Sequence, residues 1–160
     1  MIRSANIADG SAIAEIYNWY IGNSHNTFEE TTLSSQQMAQ RIADADQLSP
    51  WYVLEEDQQL IGFTYATRWK SRAAYRNSRE STIYLRQACS GQGWGRILYQ
   101  HLIDEIKKTP IHVLIAGIAL PNEASVALHE KLGFENIGCF QEVGLKFNKY
   151  IDVGYWQLPL

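Results

Sequence analysis

The 160-residue sequence predicts a mixed α/β sheet flanked by four helices, and three observations carry that reading. Strand-like runs cluster between Trp51 and Leu85. A glycine-rich turn then joins a strand to an amphipathic helix near the middle. A helix–strand–helix–strand series follows, which implies a crossover between parallel strands at the centre.

The elements follow from local chemistry. Ile2 to Ala5 is a short strand. Residues 7–21 carry Ile13, Ile16, Tyr17, Tyr20 and Ile21, a stripe at helical spacing, and Gly22-Asn23-Ser24 stops it. Ser34 with Gln37 three residues on forms a capping box for a second helix running to about Ala45. Trp51 to Glu55 reads as a strand, Asp57-Gln58-Gln59 as a turn, and Leu60 to Trp69 as a long strand with Ile61, Phe63 and Tyr65 alternating. Lys70 to Arg79 is polar and irregular, and Ser81 to Leu85 is the next strand. Arg96 to Lys108 is a helix that Pro110 ends. Ile111 to Leu120 is a buried strand, Asn122 to Leu132 a helix with Gly133 as C-cap, and Phe134–Cys139 and Val153–Leu158 are the last strands.

Composition excludes several classes. Of all residues, 46% are hydrophobic, which supports a packed core rather than disorder. The length suits one domain over 1–160. A net charge of −3 gives no reason to expect nucleic acid or an anionic membrane as partner. The two cysteines, Cys89 and Cys139, are too few for a disulfide framework and have no metal-ligand spacing, so no metal is expected. No apolar run approaches the ~20 residues of a membrane span and no signal peptide opens the chain, so a cytoplasmic location is expected.

Gly91, Gly93 and Gly95 alternate directly after a strand and directly before a helix. Glycines let backbone N–H groups approach an anion, and the helix N-terminus adds free donors and the positive end of its dipole. Arg96 could add a charge-assisted contact. A phosphate site and an ordinary tight turn both fit this run. A P-loop lacks its Gly-Lys-Ser/Thr, and the dinucleotide fingerprint belongs near the start of a domain rather than mid-chain.

These residues resemble a family. The strand Thr82–Leu85, the loop Ser90 to Gly95 and the following helix are similar to the acetyl-CoA motif of the GNAT acetyltransferase superfamily. The run Asn122 to Phe134 resembles that superfamily's second motif. Trp69 to Tyr75, Glu80 to Tyr84, Thr27-Phe28-Glu29, Leu145-Lys146-Phe147 and Asp152 to Gln157 look like phosphinothricin acetyltransferases across essentially the whole chain.

The resemblance implies a GNAT-type sheet, mostly antiparallel, with a parallel central pair and about four helices. It implies acetyl-CoA as co-substrate and a homodimer. The donor would be held by Ile83, Tyr84 and Leu85, by Ser90, Gly91, Gln92, Gly93, Trp94, Gly95 and Arg96, and by Asn122 and Ser125. Ser90 departs from the Arg or Gln usual at that position, so one pyrophosphate contact is expected to be lost.

Acetyl transfer to an amine needs a base for the ammonium, stabilisation of the carbonyl oxygen and a proton for the departing thiolate. By the resemblance Glu80 is the base. His129 occupies the position of a Tyr that protonates the CoA sulfur; a His could donate too, or could simply pack inward. His25, His101 and His112 show no partner pattern. Lys70, Arg72 and Tyr75 match a Lys-x-Arg-x-x-Tyr pattern by the substrate's anionic groups, with Phe28 and Glu29 shaping the same pocket. On composition alone the cations Lys70, Arg72, Arg76 and Arg79 are equally a solvated loop.

The expected reaction is acetylation of the α-amine of a small amino acid-like substrate of phosphinothricin, methionine sulfoximine or methionine sulfone type. Two alternatives stand beside it: another amine as acceptor, such as a polyamine, antibiotic or protein N-terminus, and a non-catalytic acyl-CoA-binding module.

Overall fold

The structure, a computed structural model, describes residues 1–160. Seven strands form one sheet: β1 (Ile2–Ser4), β2 (Trp51–Glu56), β3 (Gln59–Arg68), β4 (Ser78–Leu85), β5 (Val113–Ala119), β6 (Glu135–Lys146) and β7 (Lys149–Pro159). Their order is β1-β2-β3-β4-β5-β7-β6, and every neighbouring pair is antiparallel except β4 with β5. The helices are α1 (Gly10–Asn23), α2 (Ser35–Ala43), α3 (Trp94–Ile106) and α4 (Glu123–Lys131). This is the predicted GNAT-type architecture.

Alternation along β4 sends Tyr84 to one face of the sheet and Ser81 and Ile83 to the other. Tyr84 joins Ile13, Ile16, Tyr17 and Tyr20 of α1, Met38 of α2 and Phe63 in one buried cluster. Tyr99, Leu102, Ile103 and Ile106 of α3 pack with Leu114, Ala116 and Ile118 of β5, Trp156 of β7 and residues of α4 in a second. The sheet is thus covered by α1 and α2 on one side and by α3 and α4 on the other.

The Ser34–Gln37 capping box forms in both directions. The last two strands run longer than the expected Phe134–Cys139 and Val153–Leu158: β6 and β7 continue through the segment between them and form a long hairpin turning at Phe147 and Asn148, both with positive φ. β6 is an edge strand in which only Gly144 and Lys146 are buried, so no period-2 burial pattern marks it. Bulges after Asn136 and Phe140 interrupt its register further.

The parallel pair is short. Ser78, Arg79 and Glu80 register with Val113, Leu114 and Ile115, and there the pairing stops. β4 continues to Leu85 on β3, while β5 continues to Ala119 on β7. The sheet therefore splits into a β1–β4 half and a β5–β7–β6 half that part at Glu80.

Candidate active site

The split opens a cavity of about 1140 Å³. Beyond Glu80 the edge of β4 that faces β5 has no strand partner, so its backbone groups are free to pair with an extended ligand. Ile83, Tyr84 and Leu85 line this wall.

The glycine loop closes one end. Gly91 and Gly93 have φ of 77° and 88°, a region that side-chain-bearing residues rarely adopt, and a Cβ on either would project into open space. Gly93 is the N-cap of α3, and its carbonyl already accepts from Arg96 and Ile97. The N–H groups just before them remain without helical partners, as at any helix start. Gly95 is buried where α3 meets β4 and α4, and a Cβ there would lie at ordinary contact distances, 3.4 Å from Leu85 and 3.6 Å from Leu128. These features fit a pyrophosphate.

Ser90, Gly91, Gly93, Gly95, Arg96, Asn122 and Ser125 all line the cavity. Gln92 and Trp94 do not. The Gln92 amide turns back to donate to the Ala88 carbonyl at 3.0 Å, and Trp94 packs by Leu54, Ile61 and Leu98. Only their backbone can serve an anion. Asn122 caps α4, its side-chain oxygen accepting from the Ser125 N–H at 3.2 Å.

Glu80 stands at the apex of the split, half-buried. Burial pushes its carboxyl above the usual range, and the nearby Lys70 charge pulls it partly back. Gly117 lies beside it: a Cβ there would stand 3.5 Å from Glu80 Oε1, an ordinary contact, and 3.2 Å from the Tyr155 ring, a tight one. Glu80 and Tyr155 therefore share one corner of the cavity, and burial with the Glu80 charge raises the Tyr155 hydroxyl as well.

A family assignment follows from this split sheet, its glycine cradle and a direct comparison. Residues 2–154 match the acetyltransferase (GNAT) domain family. The chain belongs to the GNAT acetyltransferase family. An L-methionine sulfoximine/L-methionine sulfone acetyltransferase of Salmonella typhimurium is 36% identical over 99% of this chain and 94% of its own length. A phosphinothricin acetyltransferase from Sinorhizobium meliloti, solved in complex with acetyl-CoA, superposes with a TM-score of 0.95 at 34% identity, covering 100% of this chain and 88% of the other. A ribosomal-protein-alanine N-acetyltransferase from Brucella melitensis does so with a TM-score of 0.97 at 34% identity, covering 100% and 99%. The protein is thus an acetyl-CoA-dependent acetyltransferase, and the cleft of this GNAT chain fits that donor.

The other expected site residues divide between this cleft, which His129 and Phe28 also line, and other parts of the GNAT fold. His129 is buried, 4% exposed. Its Nδ1–H donates to the Ser125 carbonyl at 2.7 Å. Nε2 is then the acceptor, and the Tyr99 hydroxyl, 3.1 Å away, donates to it. Tyr99 in turn lies 2.7 Å from Ser81 Oγ. Burial pushes the imidazole below its ordinary value, so it is neutral near pH 7. Both ring nitrogens are hydrogen-bonded within the protein, as the packing alternative expects, while His129 also lines the cleft.

Phe28 lines the cleft, but Glu29 does not: it pairs with Arg41 and accepts from the Tyr17 hydroxyl. Lys70, Arg72 and Tyr75 line a separate basic cavity of about 410 Å³ with Arg68, Arg76 and Arg79. Arg79 is not a solvated loop residue. It is 2% exposed and donates to the carbonyls of Leu48, Arg76 and Ser78. Sequence reasoning also missed His25, Asn26, Tyr65 and Tyr155, all of which line the main cleft. Period-2 alternation in β3 could have placed Tyr65; nothing in the sequence marks the other three.

Proposed function

We propose that this acetyltransferase acetylates the α-amine of a small amino acid-like acceptor with an anionic or strongly polar side chain, of phosphinothricin, methionine sulfoximine or methionine sulfone type. The observation that carries this reading is Glu80: a half-buried carboxylate with a raised pKa, at the apex of the split sheet and within electrostatic reach of Lys70. The thioester of acetyl-CoA supplies the acetyl group. Ile83 to Leu85 would hold the donor's arm by backbone pairing, and Gly91, Gly93, Arg96 and the start of α3 its phosphates.

Glu80 takes the proton that the acceptor ammonium must lose, directly or through one water. Its raised pKa makes it a stronger base than an exposed Glu. The N–C bond forms as the C–S bond breaks, and the sulfur takes a proton from solvent, both His129 nitrogens being engaged with Ser125 and Tyr99. Lys70, whose charge reaches Glu80, attracts the acceptor's anionic group, and Phe28 lies against its apolar part, while Arg72 and Tyr75 line the separate basic cavity.

The likeness to the named relatives supports this class of acceptor. A second reading, with a polypeptide N-terminus as acceptor, draws on the likeness to the Brucella structure. Free-thiol release from acetyl-CoA separates them: turnover of the amino acid panel is expected, and turnover of N-terminal peptides alone would overturn the first reading.

We also infer a homodimer through β6. Ile137, Phe140, Val143, Leu145 and Tyr150 of the β6–β7 hairpin are each more than half exposed, an apolar edge that a second copy would cover.

A further inference from the structure

Between α1 and α2 the chain crosses the mouth of the cleft without helix or strand. Residues 24–28 form this strap, and several elements hold it. The Tyr84 hydroxyl donates to the Asn26 carbonyl at 3.1 Å, and the Asn122 amide donates to Asn26 Oδ1 at 3.2 Å. Tyr17 and Thr27 hydroxyls meet at 2.8 Å. These contacts tie the strap to the β4 side and to α4.

On the far side the tie is Lys146. Its Nζ donates to the carbonyls of Ser24 at 2.8 Å and Thr27 at 2.7 Å. The side chain is 1% exposed and takes part in none of the chain's ion pairs. Besides those carbonyls it has the Phe147 ring, 5.0 Å from Nζ, and the charge of Glu30, and burying a cation on such partners is unfavourable compared with an apolar side chain of the same length. What the ammonium supplies instead is geometry: one atom fixes two carbonyls three residues apart. Two positions along the same face of β6, Gly144 receives the Phe28 ring, where a Cβ would lie 2.4 Å from its carbons. Asn26 and Phe28 from the strap and Val143 and Tyr155 from the hairpin line the same cleft.

We infer that Lys146 is a positioning residue for the acceptor pocket: by latching the 24–28 strap to the β6–β7 hairpin it sets the separation of two pocket walls, and so which acceptor side chains fit. This rests on the acceptor reading proposed above, and the test keeps the two apart. Amide hydrogen exchange in residues 24–28 reports the latch without any turnover. Lys146→Met is expected to speed that exchange and to raise the acceptor KM by about tenfold or more, because small misplacements of a binding wall are amplified in rate. The acetyl-CoA KM stays unchanged, and Lys146→Arg recovers part of the loss.

Unchanged exchange in a folded Lys146→Met protein would overturn the inference. So would a parallel rise in both KM values. Should Lys146→Met not fold, Gly144→Ala displaces Phe28 from the same latch: the same acceptor-selective KM rise supports the inference, and an unchanged acceptor KM overturns it. If the wild type acetylates none of the amino acids offered, the acceptor reading falls, and the exchange measurement alone decides the latch.

Discussion

Glu80→Gln isolates the proposed base while preserving shape. The two side chains are equal in length, so the fit beside Gly117 and Tyr155 is kept. The proton acceptor is lost. Positioned general bases contribute about 10²–10⁴ in rate, or ~3–5 kcal/mol of barrier, and the half-buried setting of Glu80 argues for the upper part of that range. The assay is free-thiol release with acetyl-CoA and methionine sulfone across pH. Wild-type kcat/KM should rise along a limb whose apparent pKa lies above the ordinary 4.5 of a Glu, because burial raises this carboxyl. That limb should vanish in the variant. Stability gives a second readout with a defined sign. A carboxyl raised by folding disfavours its ionised form in the native state. Its penalty is absent below the unfolded pKa and grows as pH rises through the folded one. Glu80→Gln should therefore raise Tm at pH 8 relative to wild type, and the gain should shrink toward pH 4. A variant that keeps kcat/KM and its rising limb would refute the assignment of Glu80 as base.

Three further changes test neighbouring claims. Gly93→Ala places a side chain at φ 88°, which costs about 1–2 kcal/mol, and points a methyl into the anion cradle; the acetyl-CoA KM should rise while the acceptor KM holds. Tyr99→Phe leaves His129 Nε2 without its donor and should cost about 1–3 kcal/mol in denaturant unfolding with kcat retained. A loss of kcat as large as that of Glu80→Gln would return His129 to catalysis. Phe140→Lys, at a position 60% exposed on β6, should shift a dimeric wild type toward monomer in light scattering; a wild type already monomeric at micromolar concentration would refute the β6 interface.

The first half of the fold was legible because its signals are local. The Ser34–Gln37 box and the stripe from Ile13 to Ile21 each lie within one or two turns of chain. Only the outer parts of the β6–β7 hairpin, Phe134–Cys139 and Val153–Leu158, were legible; its turn end was not, because a strand exposed along most of its length carries no alternation, and the only buried residues of β6 are a glycine and a lysine. Lys146 reads as a surface cation in sequence. Its burial depends on carbonyls more than a hundred residues away, and no local rule anticipates that. Glu29 misled for the converse reason: its partner Arg41 sits on α2, so a residue inside a recognisable motif is spent on an ion pair.

The two ends of the cleft differ in how they are encoded, and this explains which could be read. The donor end is made of backbone: free N–H groups at the start of α3, two left-handed glycines, and the unpaired edge of β4. Backbone sites need particular residue types at particular spacings, chiefly glycine, so they leave a motif. The proposed acceptor end draws on side chains from distant segments: Glu80 from β4, Tyr155 from β7, Phe28 from the strap, with Lys70 acting from beyond β3. No two are adjacent in sequence, and each could be exchanged without disturbing the glycine loop. Donor identity is therefore the fixed property of this architecture and acceptor identity the adjustable one. It follows that substitutions in the strap, its latch and the Lys70–Tyr75 loop should redirect the enzyme among amines while acetyl-CoA binding stays constant, a separation that paired KM measurements on one set of variants will detect.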